Sequence, residues 1–327
     1  KKRYHLFIIQ KKYIILLIIM EIAMSNMVQY SVFPNCQNNC KFCLRRDRDT
    51  WDKDKMIARI KEIEHNIKLV DWKDKYKDGI SLMGGEIFFI QDEEVQDVFL
   101  ELINLVIEEI LIPYKKTKIS TVTNGIYEPN DFLFKAFDII KNSVGIDRAD
   151  INVSYDIKYR FDTEERRLRC LKTINEIHNR YNYNVGVQTI LTQYFIDAVN
   201  NKIFDIKTFE ENEIKGCQLT FLYPHPINPL LPPLDDFKFS RNSFLEFMTY
   251  LKKNFPRKYD NFYLSTINSA IYKETGVRDP LAGKEDAKPI LSDGKEIINN
   301  QCNHSTLYQC YSDCNKCMLC DLLNLGR

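Results

Sequence analysis

The chain has 327 residues, 44% of them apolar, the size and composition of one large globular domain or of a medium domain with an appendage. Its 46 lysines and arginines stand against 45 acids, a net charge of +1, so no global field favours nucleic acid or an anionic membrane as partner. The 10 cysteines could form five disulfides in a secreted protein, but three cluster near the start and five near the end, the pattern of metal ligation in a reducing, cytoplasmic setting.

The first 26 residues are rich in isoleucine, lysine and tyrosine. Their uninterrupted apolar run, Tyr13 to Met20, falls short of the roughly 20 residues of a membrane span, and "EIAMSNM" is a poor signal-peptide cleavage site. This extension, 1–26, reads first as translated upstream sequence with the natural start at Met20, Met24 or Met27. An interfacial anchor flanked by Lys1, Lys2, Arg3, Lys11 and Lys12 is the alternative, and a structured extension is the third reading. From Met27 onward β-type runs alternate with helical patterns. Strands are expected over 27–33, 149–156 and 183–191, strands running into a glycine turn over 79–86 and 118–125, and a strand closed by prolines over 217–226. Helices are expected over 55–70, 93–111, 132–141, 164–180, 195–204 and 243–255. Ile57, Ile60, Ile63 and Ile67, for example, recur at the three- and four-residue steps of one helix face.

Six strand-and-helix units imply a parallel sheet with crossover helices. A doubly wound sheet and a partial (β/α)6 TIM-like barrel both fit, and both place an active site beyond the C-terminal ends of the strands. The core is expected to span 27–260. Residues 261–327 are turn- and cysteine-rich and read as a small appendage held by metal.

Three cysteines follow the first strand in "NCQNNCKFC": Cys36, Cys40 and Cys43, spaced C-x3-C-x2-C. A structural zinc site wants a fourth ligand, and the nearest histidine, His65, belongs to the first helix. A four-iron cluster held by three thiolates instead keeps one iron open to an external ligand. "MGGE" follows the second strand, "TNG" the third and "VSYD" the fourth. Together these resemble the radical S-adenosylmethionine superfamily over residues 28 to 255, with Phe42 as that family's aromatic before the last cysteine.

The resemblance implies a [4Fe–4S] cluster on Cys36, Cys40 and Cys43, with S-adenosylmethionine chelating the open iron. It implies that Gly84, Gly85 and Glu86 meet the methionine amino group. Asn124 would line the pocket, Ser154 would contact ribose or carboxylate, and Gln188 of "VGVQT" would lie near the adenine. Each of these three also reads as ordinary strand-end or turn structure. Arg166 or Arg167 is a candidate for the carboxylate, though solvated helix charge explains both. Ile87 stands where the family often has proline. No side chain is singled out as catalytic. Cys170 and Cys217 read as core residues.

In the tail, Cys302, Cys310, Cys314, Cys317 and Cys320 follow "ILSDGKEIINNQC", which resembles the SPASM or Twitch appendages of radical enzymes. One auxiliary iron–sulfur cluster on four of the five is expected. Zinc is the alternative, and His304 is a weak alternative ligand. The implied activity is reductive cleavage of S-adenosylmethionine to a 5′-deoxyadenosyl radical that takes hydrogen from a substrate, with flavodoxin or ferredoxin as electron donor. A peptide or protein substrate is expected from the tail. A small molecule such as a nucleotide or sugar, and a non-catalytic iron–sulfur or zinc-binding module, are the alternatives.

Overall fold

Six strands pair side by side in the order in which they occur along the chain, all parallel. They are β1 (Met27–Ser31), β2 (Gly79–Met83), β3 (Lys118–Thr123), β4 (Ala149–Ser154), β5 (Gly186–Ile190) and β6 (Gln218–Leu222). In this computed structural model residues 27–38, 40, 50–70, 72, 78–126, 131–222 and 240–259 are described. The readings made for 1–26, Phe42, Cys43 and 261–327 lie outside them.

The helices between strands are α1 (Lys53–Leu69), α2 (Glu93–Val106), α3 (Asp131–Val144), α4 (Glu164–Tyr181) and α5 (Gln193–Asn200), with α6 (Arg241–Asn254) after β6. Their starts are set by side-chain caps: Asp52, Asp92, Thr163 and Thr192 each accept a backbone N–H of the first turn. The strand order never reverses. Right-handed crossovers that always step the same way put every helix on one face and curl the sheet into an open partial barrel. The partial (β/α)6 barrel is therefore the observed architecture, and the doubly wound alternative is excluded.

The strand register separates two faces. Val28, Ile80, Leu82, Ile119, Ile151, Val153, Val187 and Leu219 share the helix-facing side and are all buried. They meet Ile60, Ile63, Phe99, Phe137 and Ile174 in a single core. Phe88, Phe99, Phe132 and Phe137 pack ring on ring at centroid distances of 5.5 to 6.3 Å. The other face is polar. Gln29, Ser81, Ser120 and Asp150 lie in one register row, and Ser154, Gln188 and Thr220 in another.

The strand expected over 27–33 ends at Ser31, whereas 79–86 is, as expected, a strand (Gly79–Met83) ending in a glycine turn. Those ends leave the ladder to build the site. The helix expected over 93–111 changes to a π-helical turn, Ile107–Leu111, after Val106. Cys170 and Cys217 are fully buried, and burial pushes both thiols up. Among the described residues no helix is long and apolar enough to cross a membrane.

Candidate active site

β1 delivers the chain into the cysteine loop, and the loop is clasped at its neck. Asn35 Nδ2 donates to the Trp51 carbonyl at 2.9 Å, and Trp51 N–H donates to Asn35 Oδ1 at 3.0 Å. The Asn35 amide thereby imitates a strand partner and closes the segment that carries Cys36, Cys40 and Cys43. Cys40 is buried at 7% exposure, and Cys36 is half-buried. The Asn38 N–H points at Cys36 Sγ from 3.4 Å.

The glycine pair after β2 lies directly against this loop. Gly85 N–H donates to the Phe33 carbonyl at 2.8 Å, and Glu86 N–H to the Asn35 carbonyl at 2.7 Å. A Cβ on Gly84 would come within 2.5 Å of the Phe33 oxygen, and one on Gly85 within 2.1 Å of the Asn35 oxygen. Glycine is thus required here by the cysteine loop itself, whatever ligand the turn also approaches.

Glu86 is 1% exposed. Its Oε2 accepts the Asn124 N–H at 2.6 Å, and its Oε1 accepts from Thr123 Oγ1 at 2.8 Å and from Phe88 N–H at 3.3 Å. Burial pushes the carboxyl up to about 7, against the pull of these hydrogen bonds and of the Arg160 charge. The carboxylate therefore ties the end of β2 to the end of β3. Asn124 reaches from there to the loop, with Nδ2 3.7 Å from Cys36 Sγ.

Asp156, Arg160 and Thr123 were not among the residues expected from the sequence, and Arg166 and Arg167 were. Asp156, the acid of "VSYD", holds Arg160 at 2.7 Å while its other oxygen accepts Ile190 N–H at 2.7 Å. Both side chains of this pair are mostly buried, at 5% and 13% exposure. Burial opposes the Arg160 cation, but Asp156 and, more weakly, Cys40 hold its proton more tightly than usual. An acid followed four residues later by arginine was the available signal. Asn38 Oδ1 accepts from Arg166 at 3.3 Å, so Arg166 touches the cysteine loop. Arg167 turns instead to Glu164, Tyr155 and Glu213. Thr123, the threonine of "TNG", donates its hydroxyl to Glu86 Oε1.

Ser154 ends β4 half-buried, and Gln188 on β5 is 5% exposed. Gln188 Oε1 and Ser81 Oγ on the polar face, and Asn38 Nδ2 in the loop, are buried with no hydrogen-bond partner among the described residues. The structure brings Cys36, Gly84, Gly85, Glu86 and Asn124 together, and sets Cys40 in the field of Arg160. It places Ser154 and Gln188 on adjacent strands in register with each other. Among the described residues, which do not include Cys43, no three metal-ligating side chains converge.

The donor set fits an iron–sulfur cluster. Two soft thiolates share a loop, N–H groups face one sulfur, and a buried arginine offsets negative charge. It would be held by Cys36, Cys40 and Cys43.

No protein-family model matches the chain, and no curated protein matches its sequence. Solved structures do match. Streptococcus suis SuiB gives a TM-score of 0.50 at 11% identity, covering 87% of this chain and 64% of SuiB. The structure of SuiB bound to precursor peptide SuiA gives 0.45 at 14% identity, over 70% of this chain and 47% of that one. The structure of anSMEcpe with bound AdoMet gives 0.47 at 13% identity, over 90% and 81%. The likeness to SuiB is one of fold: the chain shares that structure's architecture, a partial barrel of six parallel strands with crossover helices.

Proposed function

We propose that the chain is a radical S-adenosylmethionine enzyme acting on a peptide or protein. The observation that carries the reading is the cysteine loop locked by backbone hydrogen bonds to the Gly-Gly-Glu turn, at the C-terminal ends of a six-stranded parallel sheet. Strand C-terminal ends are where such folds place their chemistry. Cys36, Cys40 and Cys43 would hold a four-iron cluster, which would supply the one electron that reductively cleaves the sulfonium of S-adenosylmethionine to methionine and a 5′-deoxyadenosyl radical.

The residues themselves bind and orient. The backbone of Gly84 and Gly85 offers an edge for the methionine amine. Arg166, already at the loop, suits its carboxylate. Ser154 and Gln188 offer hydrogen bonds to the ribose and adenine from neighbouring strands. Open polar positions at Ser81 and Gln188 suit a polar ligand in the barrel interior. The peptide reading rests on the cysteine-rich tail and its resemblance to SPASM and Twitch appendages. The same resemblance supports a second cluster there.

Anaerobic purification, reconstitution, and counting of iron, sulfide and zinc test both parts, followed by dithionite with S-adenosylmethionine. The expected result is about eight irons per chain, two four-iron clusters, with 5′-deoxyadenosine formed. About four irons with one zinc would keep the enzyme and remove the support for a peptide. No iron at Cys36, Cys40 and Cys43 would overturn the proposal.

A further inference from the structure

Asn124 closes β3 where the cysteine loop crosses it, and its orientation is fixed from two sides. Its own N–H is held by Glu86 Oε2 at 2.6 Å, and its Oδ1 accepts the Ile126 backbone N–H at 3.1 Å. A backbone N–H can only donate, so the atom facing Ile126 is the amide oxygen and the nitrogen is turned away from it. That nitrogen faces Cys36 Sγ at 3.7 Å. Gln37 braces the amide plane, donating to Asn124 Oδ1 at 3.4 Å and accepting from Nδ2 at 3.5 Å. Asn124 is 4% exposed, so bulk water does not compete for the contact.

We propose that Asn124 is a positioning residue whose amide donates an N–H···S hydrogen bond to the Cys36 sulfur and raises the reduction potential of the cluster held there. The inference rests on the radical-enzyme reading above. Its physical basis is charge. Reduction adds an electron that spreads over the sulfurs, and a donor aimed at a sulfur stabilises the reduced state more than the oxidised one. The Asn38 N–H, 3.4 Å from the same sulfur, acts in the same direction but belongs to the backbone. Asn124 is the side chain through which the end of β3 reaches this sulfur. Glu86 is its anchor, which explains why a buried carboxylate is directed at β3.

The test is a redox titration followed by electron paramagnetic resonance on the full chain, with iron counted in each sample. It is read on the signal that shifts when S-adenosylmethionine is added, which selects the cluster at Cys36. Wild type is compared with Asn124→Ala and Asn124→Asp. The aspartate keeps the size and the oxygen that Ile126 needs, and replaces the donor by an acceptor. Expected are full iron in both variants and midpoint potentials that fall in the order wild type, alanine, aspartate. The alanine variant's reduced fraction at fixed potential should drop about three- to tenfold, the worth of an ordinary hydrogen bond. Unchanged potentials with full iron would overturn the assignment and leave the radical-enzyme reading intact. Loss of iron from both variants would also overturn it, because the side chain would then hold the loop rather than tune it. A wild-type chain without iron would remove the underlying reading as well.

Discussion

Gly85→Ala tests how tightly the glycine turn grips the cysteine loop. The added Cβ would lie 2.1 Å from the Asn35 oxygen and 2.3 Å from the Pro34 oxygen, both backbone atoms, whereas real Cβ contacts do not fall below 3.0 Å. The two segments must therefore part by about 1 Å. The hydrogen bonds from Gly85 N–H at 2.8 Å and Glu86 N–H at 2.7 Å would then stretch beyond bonding range. Losing two such bonds, with their groups left in a partly buried setting, costs about 2–4 kcal/mol. For a domain of this size that lowers the melting temperature by roughly 5 to 15 °C. Thermal melts by circular dichroism under argon, with iron counted after reconstitution, give both readouts. The variant should melt early and retain less iron. Gly216→Ala is the control: φ there is +84° and nothing lies within 4 Å of the new Cβ. It should cost only about 1 kcal/mol of backbone strain and leave iron untouched. A Gly85→Ala protein that melts like wild type and keeps its iron would refute the argument from close approach.

Two further outcomes follow from the buried charges. The Glu86 carboxyl, raised from 4.5 to about 7, keeps a proton in the folded chain that the unfolded chain releases. Its contribution to stability is fully present below pH 4.5 and is lost as pH rises through 7, a change of about 3 kcal/mol. Urea unfolding at pH 5 and pH 8 should show this fall in wild type and not in Glu86→Gln, and equal slopes in the two proteins would contradict it. Asp156→Asn should destabilise by about 3–5 kcal/mol, because Arg160 is left as an uncompensated buried cation. Adding Arg160→Met should recover part of that loss. A double-mutant cycle without coupling would dismiss the pair.

Much of this architecture was readable from local pattern. Alternating β runs and isoleucine-stepped helices set the strand and helix order, and each motif fell at a strand end because parallel sheets place them there. What the pattern could not show is how the motifs touch. Asn35 and Trp51 pair across 16 residues, and Thr123 meets Glu86 across 37. The first closes the connection between β1 and α1 and the second follows from the pairing of β2 with β3, and spacing along the chain encodes neither. Gly84 and Gly85 were expected to face a ligand, and the groups the structure places against them are the backbone oxygens of Phe33, Pro34 and Asn35. The sequence did not disclose that the cysteine loop itself fills the space above them. Arg166 and Arg167 looked equivalent on a charged helix, and only the fold separates the one that reaches Asn38 from the one that reaches Tyr155.

The unreversed strand order also bears on the sequence of events during synthesis. Each strand joins an edge laid down just before it, and chains emerge N-terminal end first. The described groups that grip the cysteine loop, Trp51, Gly85, Glu86, Asn124 and Arg166, all precede β5. The cradle around Cys36 and Cys40 therefore has its partners translated while the last third of the barrel and the cysteine-rich tail are still to come.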